Sequence, residues 1–168
     1  LPSEKILEGK KKQVEEIKEL LTGAASVVLV DYKGIDVAND TKLRAELREA
    51  GVEYLVLKNS ILKFAFEAVG MDEFVPQLHG TTAIAVSKED PIAAAKVVQK
   101  YSDSLKEVFN VKMGYVDGKF LSVEEVKSVA TLPSRETLIA MVAGSFNSII
   151  ASFARAISEV AKKQEQAA

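Results

Sequence analysis

The sequence contains no cysteine, no tryptophan and only one histidine in its 168 residues. Without cysteine it can build no disulfide framework, thiolate nucleophile or zinc knuckle, a composition that suits a reducing compartment or is neutral about it. The lone His79 has no thiol to activate and no second imidazole to make a metal pair, and beside Gly80 it reads as a loop residue. Neither sign of charge is in excess: 22 Lys and Arg stand against 24 Asp and Glu, a net charge of −2. Any nucleic-acid site must therefore be a local basic patch. No Walker loop, GxGxxG or GxSxG is present. Enzyme activity is not expected, and the sequence asks for no cofactor and no metal. The first stretch, LPSEKILEGKKKQVEEIKELL, mixes charges throughout and lacks an apolar core, so it does not read as a secretory signal.

What is present, 48% hydrophobic and 27% charged residues, is the make-up of a soluble chain able to bury a core. The length suits one domain with an appendage. Val14, Ile17 and Leu21 recur at helical spacing and predict a helix over 4–21, stopped by Gly23. SVVLVD, 26–31, is too short and too branched for a helix and reads as a buried strand. A helix over 39–50 closes on Gly51, and VEYLVL, 52–57, is a second strand. Asn59 is placed to cap the next helix, which Gly70 ends. AIAVS, 83–87, is a third strand. Asp90-Pro91 opens a further helix, and a fourth strand over 108–116 turns at Asp117-Gly118. Ser122 with Glu125 forms a capping box for a short helix, and after Leu132-Pro133 Ser134 is placed to cap the last one.

The order β-α-β, inserted helix, β-α-β fits an α+β fold, a ferredoxin-like split β-α-β sandwich with an inserted helix, followed by a projecting long C-terminal helix. An α/β parallel sheet is the alternative, because periodicity does not separate the two. The clearest boundary is Pro133, dividing 1–133 from 134–168.

Between Thr137 and Val160 only Arg155 and Glu159 carry charge. A membrane span is the weakest explanation, since the stretch holds Thr, Gly, Ser and Asn and has neither an aromatic belt nor basic flanks. A core helix is the plainest one: Leu138, Met141, Val142, Phe146, Ile149, Ile150, Phe153, Ile157 and Val160 recur at three and four residues. Yet a helix of about thirty residues is roughly 45 Å long, more than the preceding domain can cover. The remainder exposes an apolar stripe, which soluble monomers avoid. Docking of partner helices is therefore the favoured reading. A sustained heptad with charged flanks, the mark of a self-associating coiled coil, is missing.

Asp31 ends the first strand, where ligands sit in open α/β sheets and where phosphoacceptor signalling domains carry an aspartate. Such domains need neighbouring acids for a divalent cation, and Asp36 is the only near candidate. Capping the strand end, or orienting Lys33 and the turn at Gly34, is the simpler role for Asp31. A phosphoacceptor-like signalling domain with a dimerising tail helix is the competing function.

Short basic clusters mark several element ends: Lys10-Lys11-Lys12, Lys33-Gly34, and Lys58-Asn59-Ser60 with Lys63 one turn later. A helix N-terminus bearing Asn, Ser and lysines suits a phosphate, because free N–H groups, the helix dipole and the ammoniums all favour an anion. Gly34 and Gly80 allow close backbone approach to a sugar-phosphate. Taken singly, each cluster reads more readily as a solvated helix face.

In order along the chain, VVLVDYKGIDV, LRAELREAGVEYLVLKNSIL, HGTTAIAVS and ATLPSRETL resemble the bacterial stalk-base ribosomal proteins, large-subunit protein number ten. The resemblance runs from about Lys11 to the C-terminus. It implies a cytoplasmic ribosomal protein whose N-terminal domain binds large-subunit rRNA at the GTPase-associated centre, beside a neighbouring ribosomal protein. It further implies a C-terminal helix that carries dimers of the small acidic stalk protein, which recruit translational GTPases. Repression of its own operon through the mRNA leader is a further implication. The DY-K-G stretch then assigns Lys33 and Gly34 to RNA, and the K-N-S stretch Lys58 and Asn59. Lys63 falls where relatives are commonly basic. Where the family usually reads Gly-Pro-Thr, this chain has Gly80-Thr81-Thr82, which points to a less stiff loop. Phe64 and Phe66 stand where many relatives are more basic, which points to a smaller RNA patch. Length alone gives the helix room for two dimers more readily than three.

Overall fold

A computed structural model describes residues 4–105, 108–133 and 135–167. It divides into two compact units, 1–132 and 133–168. The first runs α1 (Glu4–Thr22), β1 (Ser26–Asp31), α2 (Val37–Glu49), β2 (Val52–Val56), α3 (Asn59–Val69), a 3-10 helix (Asp72–Gln77), β3 (Ala83–Ser87), α4 (Ala93–Ser104), β4 (Asn110–Val116), β5 (Lys119–Leu121) and α5 (Val123–Ala130). The second is α6 (Arg135–Ala167).

The five strands form one sheet in the order β2-β3-β1-β4-β5, and every neighbouring pair is antiparallel. The fold is α+β, and the parallel-sheet alternative is overturned. β1 and β2 are linked through α2 and leave a gap that β3 fills. That return direction requires antiparallel pairing, which apolar periodicity along the strands cannot reveal.

The sheet is buried on both faces, with α2, α4 and α5 on one side and α1 and α3 on the other. Val28 and Val30 of β1 point into a cluster with Leu43, Leu47, Val98 and Phe109, under α2, α4 and α5. Val27 and Leu29 point the other way, toward Ile17, Leu21, Leu62 and Phe66 of α1 and α3. This explains why SVVLVD and AIAVS are continuous apolar runs although the sheet is antiparallel. The inserted α3 is what covers the second face. With it comes the 3-10 helix, whose Phe74 is fully buried against Phe66 (ring centroids 4.9 Å apart) and Phe120 (5.2 Å).

Local signals explain most boundaries. Gly51 and Gly70 follow α2 and α3 with φ of +69° and +81°, the left-handed geometry that ends helices. Ser122 and Glu125 make the reciprocal capping box. The hydrogen bonds from the Ser122 N–H and hydroxyl hold the Glu125 carboxyl below its ordinary value. Asp117-Gly118 turns β4 into β5, a three-residue strand that leaves no sequence pattern. Pro91 lies in a turn before α4 and not in its first turn. Ser134, the expected cap of α6, lies outside the described residues.

Candidate nucleic-acid interface and docking helix

One end of the sheet gathers most of the residues that the sequence marks for RNA. Asp31 ends β1 opposite Asn110 at the start of β4. Val30 pairs with Ala83 at the start of β3, and Ala83 pairs with Val56 at the end of β2. Register alone therefore brings the loop after β1, the start of α3 and the loop before β3 to the same edge. Lys33, Gly34, Lys58, Ser60 and Gly80 are all exposed there, and Asn59 is half-buried. Gly34 and Gly80 have φ of +92° and +67°, a backbone region that a side chain would disfavour.

Asp31 is the tie between two of these loops. Its carboxylate accepts a hydrogen bond from the Lys33 N–H at 3.3 Å and another from the Thr81 hydroxyl. The orienting role expected for it is the one observed. Among the described residues no group of three or more His, Cys, Asp or Glu side chains is placed to share a metal ion. With the antiparallel sheet, the resemblance to phosphoacceptor domains loses its structural basis.

Asn59 does not cap α3. The N-cap is Lys58, which makes no side-chain cap hydrogen bond, and Asn59 is the first helical residue. A cap needs an acceptor for the N–H groups of the first turn, whereas Asn59 uses its donor nitrogen. Nδ2 donates to the carbonyl oxygens of Leu78 at 3.0 Å and Gly80 at 2.9 Å.

Lys112 meets the same loop from β4. Its Nζ donates to the carbonyls of His79 and Thr81, the latter at 2.7 Å, and to the Thr82 hydroxyl at 3.1 Å. Burial pulls this ammonium below the usual lysine range, and the nearby Asp31 carboxylate pulls it partly back. The carbonyls of residues 78, 79, 80 and 81 are thus each taken by a side chain. The loop that lacks a proline is pinned from two sides.

Other expected residues lie apart from this knot or bring less charge. Lys63 is exposed one turn along α3 but sits 3.7 Å from Glu67, which offsets part of its charge. Lys10, Lys11 and Lys12 are exposed on α1, the helix that packs against α3. Phe66 is a core residue, whereas Phe64 is exposed. Sequence reasoning missed Lys112 altogether and marked Thr81 only as the residue standing where relatives have proline, because nothing local distinguishes a lysine in a strand or the hydroxyl of a loop threonine.

The second surface is α6. Thirty-three residues of helix rise about 50 Å. Phe146, Ile149, Ile150 and Phe153 are 69–70% exposed, and Met141, Val142, Ile157 and Val160 are more than half exposed. Leu138 is half-buried. Ile139, absent from the stripe expected from sequence, is exposed as well and joins it at the spacing 139, 142, 146, 149 or 150, 153, 157, 160. Glu136–Val160 is the one helix segment among the described residues long and apolar enough to cross a membrane by length and composition.

Comparison with known proteins identifies what carries both surfaces. The family described as "Ribosomal protein L10" matches residues 5–103, and "Ribosomal protein uL10 C-terminal region" matches 132–167. The large ribosomal subunit protein uL10 of Alkaliphilus metalliredigens is 44% identical over 165 residues, covering 98% of this chain and 99% of that protein. That of Staphylococcus aureus is 41% identical over 161 residues, 96% of each. The chain belongs to the uL10 family. It is a non-enzymatic structural protein of the large subunit of the cytoplasmic ribosome, a stalk protein acting in translation. The uL10 C-terminal match begins at the same stretch as the second compact unit, so the helix is a family feature and no accident of composition.

Proposed function

We propose that this uL10 chain is a two-ended scaffold, with rRNA at the sheet edge and acidic partner helices on α6. The observation that carries the first half is the pinned loop 78–82, which includes Gly80 and lies at the same sheet edge as Lys33, Gly34, Lys58 and Ser60. A chain of net charge −2 gains little from bulk attraction, so fixed local geometry must supply what charge density does not. The ligand is large-subunit rRNA at the GTPase-associated centre, with a neighbouring stalk-base ribosomal protein beside it. Lys10, Lys11, Lys12 and Lys63 contribute further phosphate contacts. The same surface bound to an mRNA leader accounts for autogenous repression. In this reading the first unit is a ferredoxin-like split β-α-β domain whose inserted α3 brings the K-N-S stretch to the RNA.

The second half rests on the unbroken apolar exposure of α6. Its occupants are dimers of the small acidic stalk protein, each covering roughly ten residues, or about 15 Å of helix. Two dimers fit after the attachment turn. They bring translational GTPases to the ribosome indirectly, and the apolar stripe serves them and no membrane.

Salt titration tests the RNA end. Affinity for an rRNA fragment of that centre falls steeply between about 50 and 200 mM salt, and Lys33→Ala and Lys58→Ala each flatten the log–log slope by about one. An affinity indifferent to salt would refute the rRNA assignment.

A further inference from the structure

We infer that Lys112 is a positioning residue of the RNA surface: an ammonium carried on a β-bulge that fixes the backbone of the loop 78–82 without touching RNA itself. The inference rests on the rRNA reading above and adds to it a residue that neither its sequence context nor its exposure suggests.

The bulge is the first observation. Met113 pairs with Leu29 and Val111 with Val30, so Lys112 is the extra residue of β4 and has no register partner on β1. Bulges re-aim a side chain that regular pleating would send elsewhere. Here β1 lies between β4 and β3, and the re-aimed Lys112 spans it to reach the loop ahead of β3. The second observation is saturation. An ammonium has three donors, and three oxygens accept them: the His79 carbonyl, the Thr81 carbonyl and the Thr82 hydroxyl. None is left over for a phosphate. Asp31, the nearest carboxylate, is itself engaged by Thr81 and by the Lys33 N–H, so one network joins the loop to the Lys33-Gly34 turn.

The third observation is what pinning carbonyls does to the amides. In a trans peptide the C=O and the following N–H point in opposite directions within one plane. Lys112 holds the carbonyl of His79 and Asn59 that of Gly80, so the N–H groups of Gly80 and Thr81 are turned away from those two side chains. Gly80 sits at φ +67°, so without these clamps the loop has a wide choice of conformations at that residue. Lys112 thus exerts its effect through backbone direction and not through its own charge.

The test compares unsubstituted protein, Lys112→Met and Lys33→Ala in binding the same rRNA fragment over a series of salt concentrations, with amide exchange of Gly80 and Thr81 followed by NMR. Lys112→Met is expected to weaken binding by about tenfold, as loss of a supporting hydrogen-bond set does. Its salt slope stays that of the unsubstituted protein, and both amides exchange faster. Lys33→Ala changes the slope and leaves the exchange alone. Binding by Lys112→Met at full strength, or a slope flattened by about one, as for a direct phosphate contact, would overturn the inference. If Lys112→Met does not fold, Thr82→Val decides the same point. It removes the hydroxyl that accepts from the Lys112 ammonium and keeps the side-chain shape, and weaker binding at constant slope with faster exchange supports positioning, whereas unchanged binding and exchange refute it. Failure of the unsubstituted protein to bind the fragment would fall on the rRNA reading, while the exchange comparison would still judge the clamp.

Discussion

Replacing Phe146, Ile150 and Phe153 together by alanine abolishes binding of acidic stalk-protein dimers at micromolar concentration and leaves the melting of the α/β unit unchanged. The three side chains are 69–70% exposed on one stripe of α6, so a docked helix would remove most of that surface from water. Burying a large apolar side chain contributes about 2 kcal/mol, so the triple variant forfeits about 6 kcal/mol, roughly four orders of magnitude in Kd. Alanine has the highest helix propensity of any residue, so lost binding cannot be attributed to lost helix. Isothermal titration with circular dichroism of the same samples checks both parts. Retained affinity would place the docking surface elsewhere.

Phe74→Ala has the opposite selectivity. It destabilises the first unit by about 4 kcal/mol, the cost of emptying a buried phenylalanine site. Phe74 is fully buried in the 3-10 helix and packs edge-on to Phe120, with Tyr115 at 6.5 Å and Phe66 at 4.9 Å. Its removal unseats the segment that runs directly into the loop 78–82, so RNA binding falls together with the melting temperature. Thermal melting and RNA titration on the same variant check this. A wild-type melting temperature would mean that the second face of the sheet does not depend on the aromatic cluster.

These two residues also show how unevenly the molecule can be read from its sequence. Phe153 was legible because a helical period in an almost charge-free stretch forces an exposed apolar stripe, whatever covers it. Phe74 was not, since MDEFVPQL has neither period, and only the tertiary fold makes its single phenylalanine the plug of a core. β1 and β3 were legible as buried strands, but their antiparallel pairing was not, because burial on both faces erases the alternation that normally marks such a sheet. Lys33, Gly34, Lys58 and Gly80 could be picked out by residue type and by their place at element ends. Asn59 was picked out for the wrong reason: its partners, Leu78 and Gly80, lie 19 and 21 residues away, and local capping rules cannot see them. Lys112 left no trace, for a bulge is decided by register across strands and not by anything adjacent in the chain. What escaped was long-range contact, aromatic packing for Phe74 and hydrogen bonding for the others, and the hydrogen bonds are what build the loop 78–82.

The central claim, a scaffold that carries partners on a separate helix, is tested most directly by native mass spectrometry. The full chain, co-expressed with its host's small acidic stalk protein, is compared with a chain ended at Pro133. The account predicts a complex of one chain with two dimers, four acidic copies, for the full chain and none for the shortened one. A full chain that captures no acidic protein and pairs with itself through α6 would contradict it.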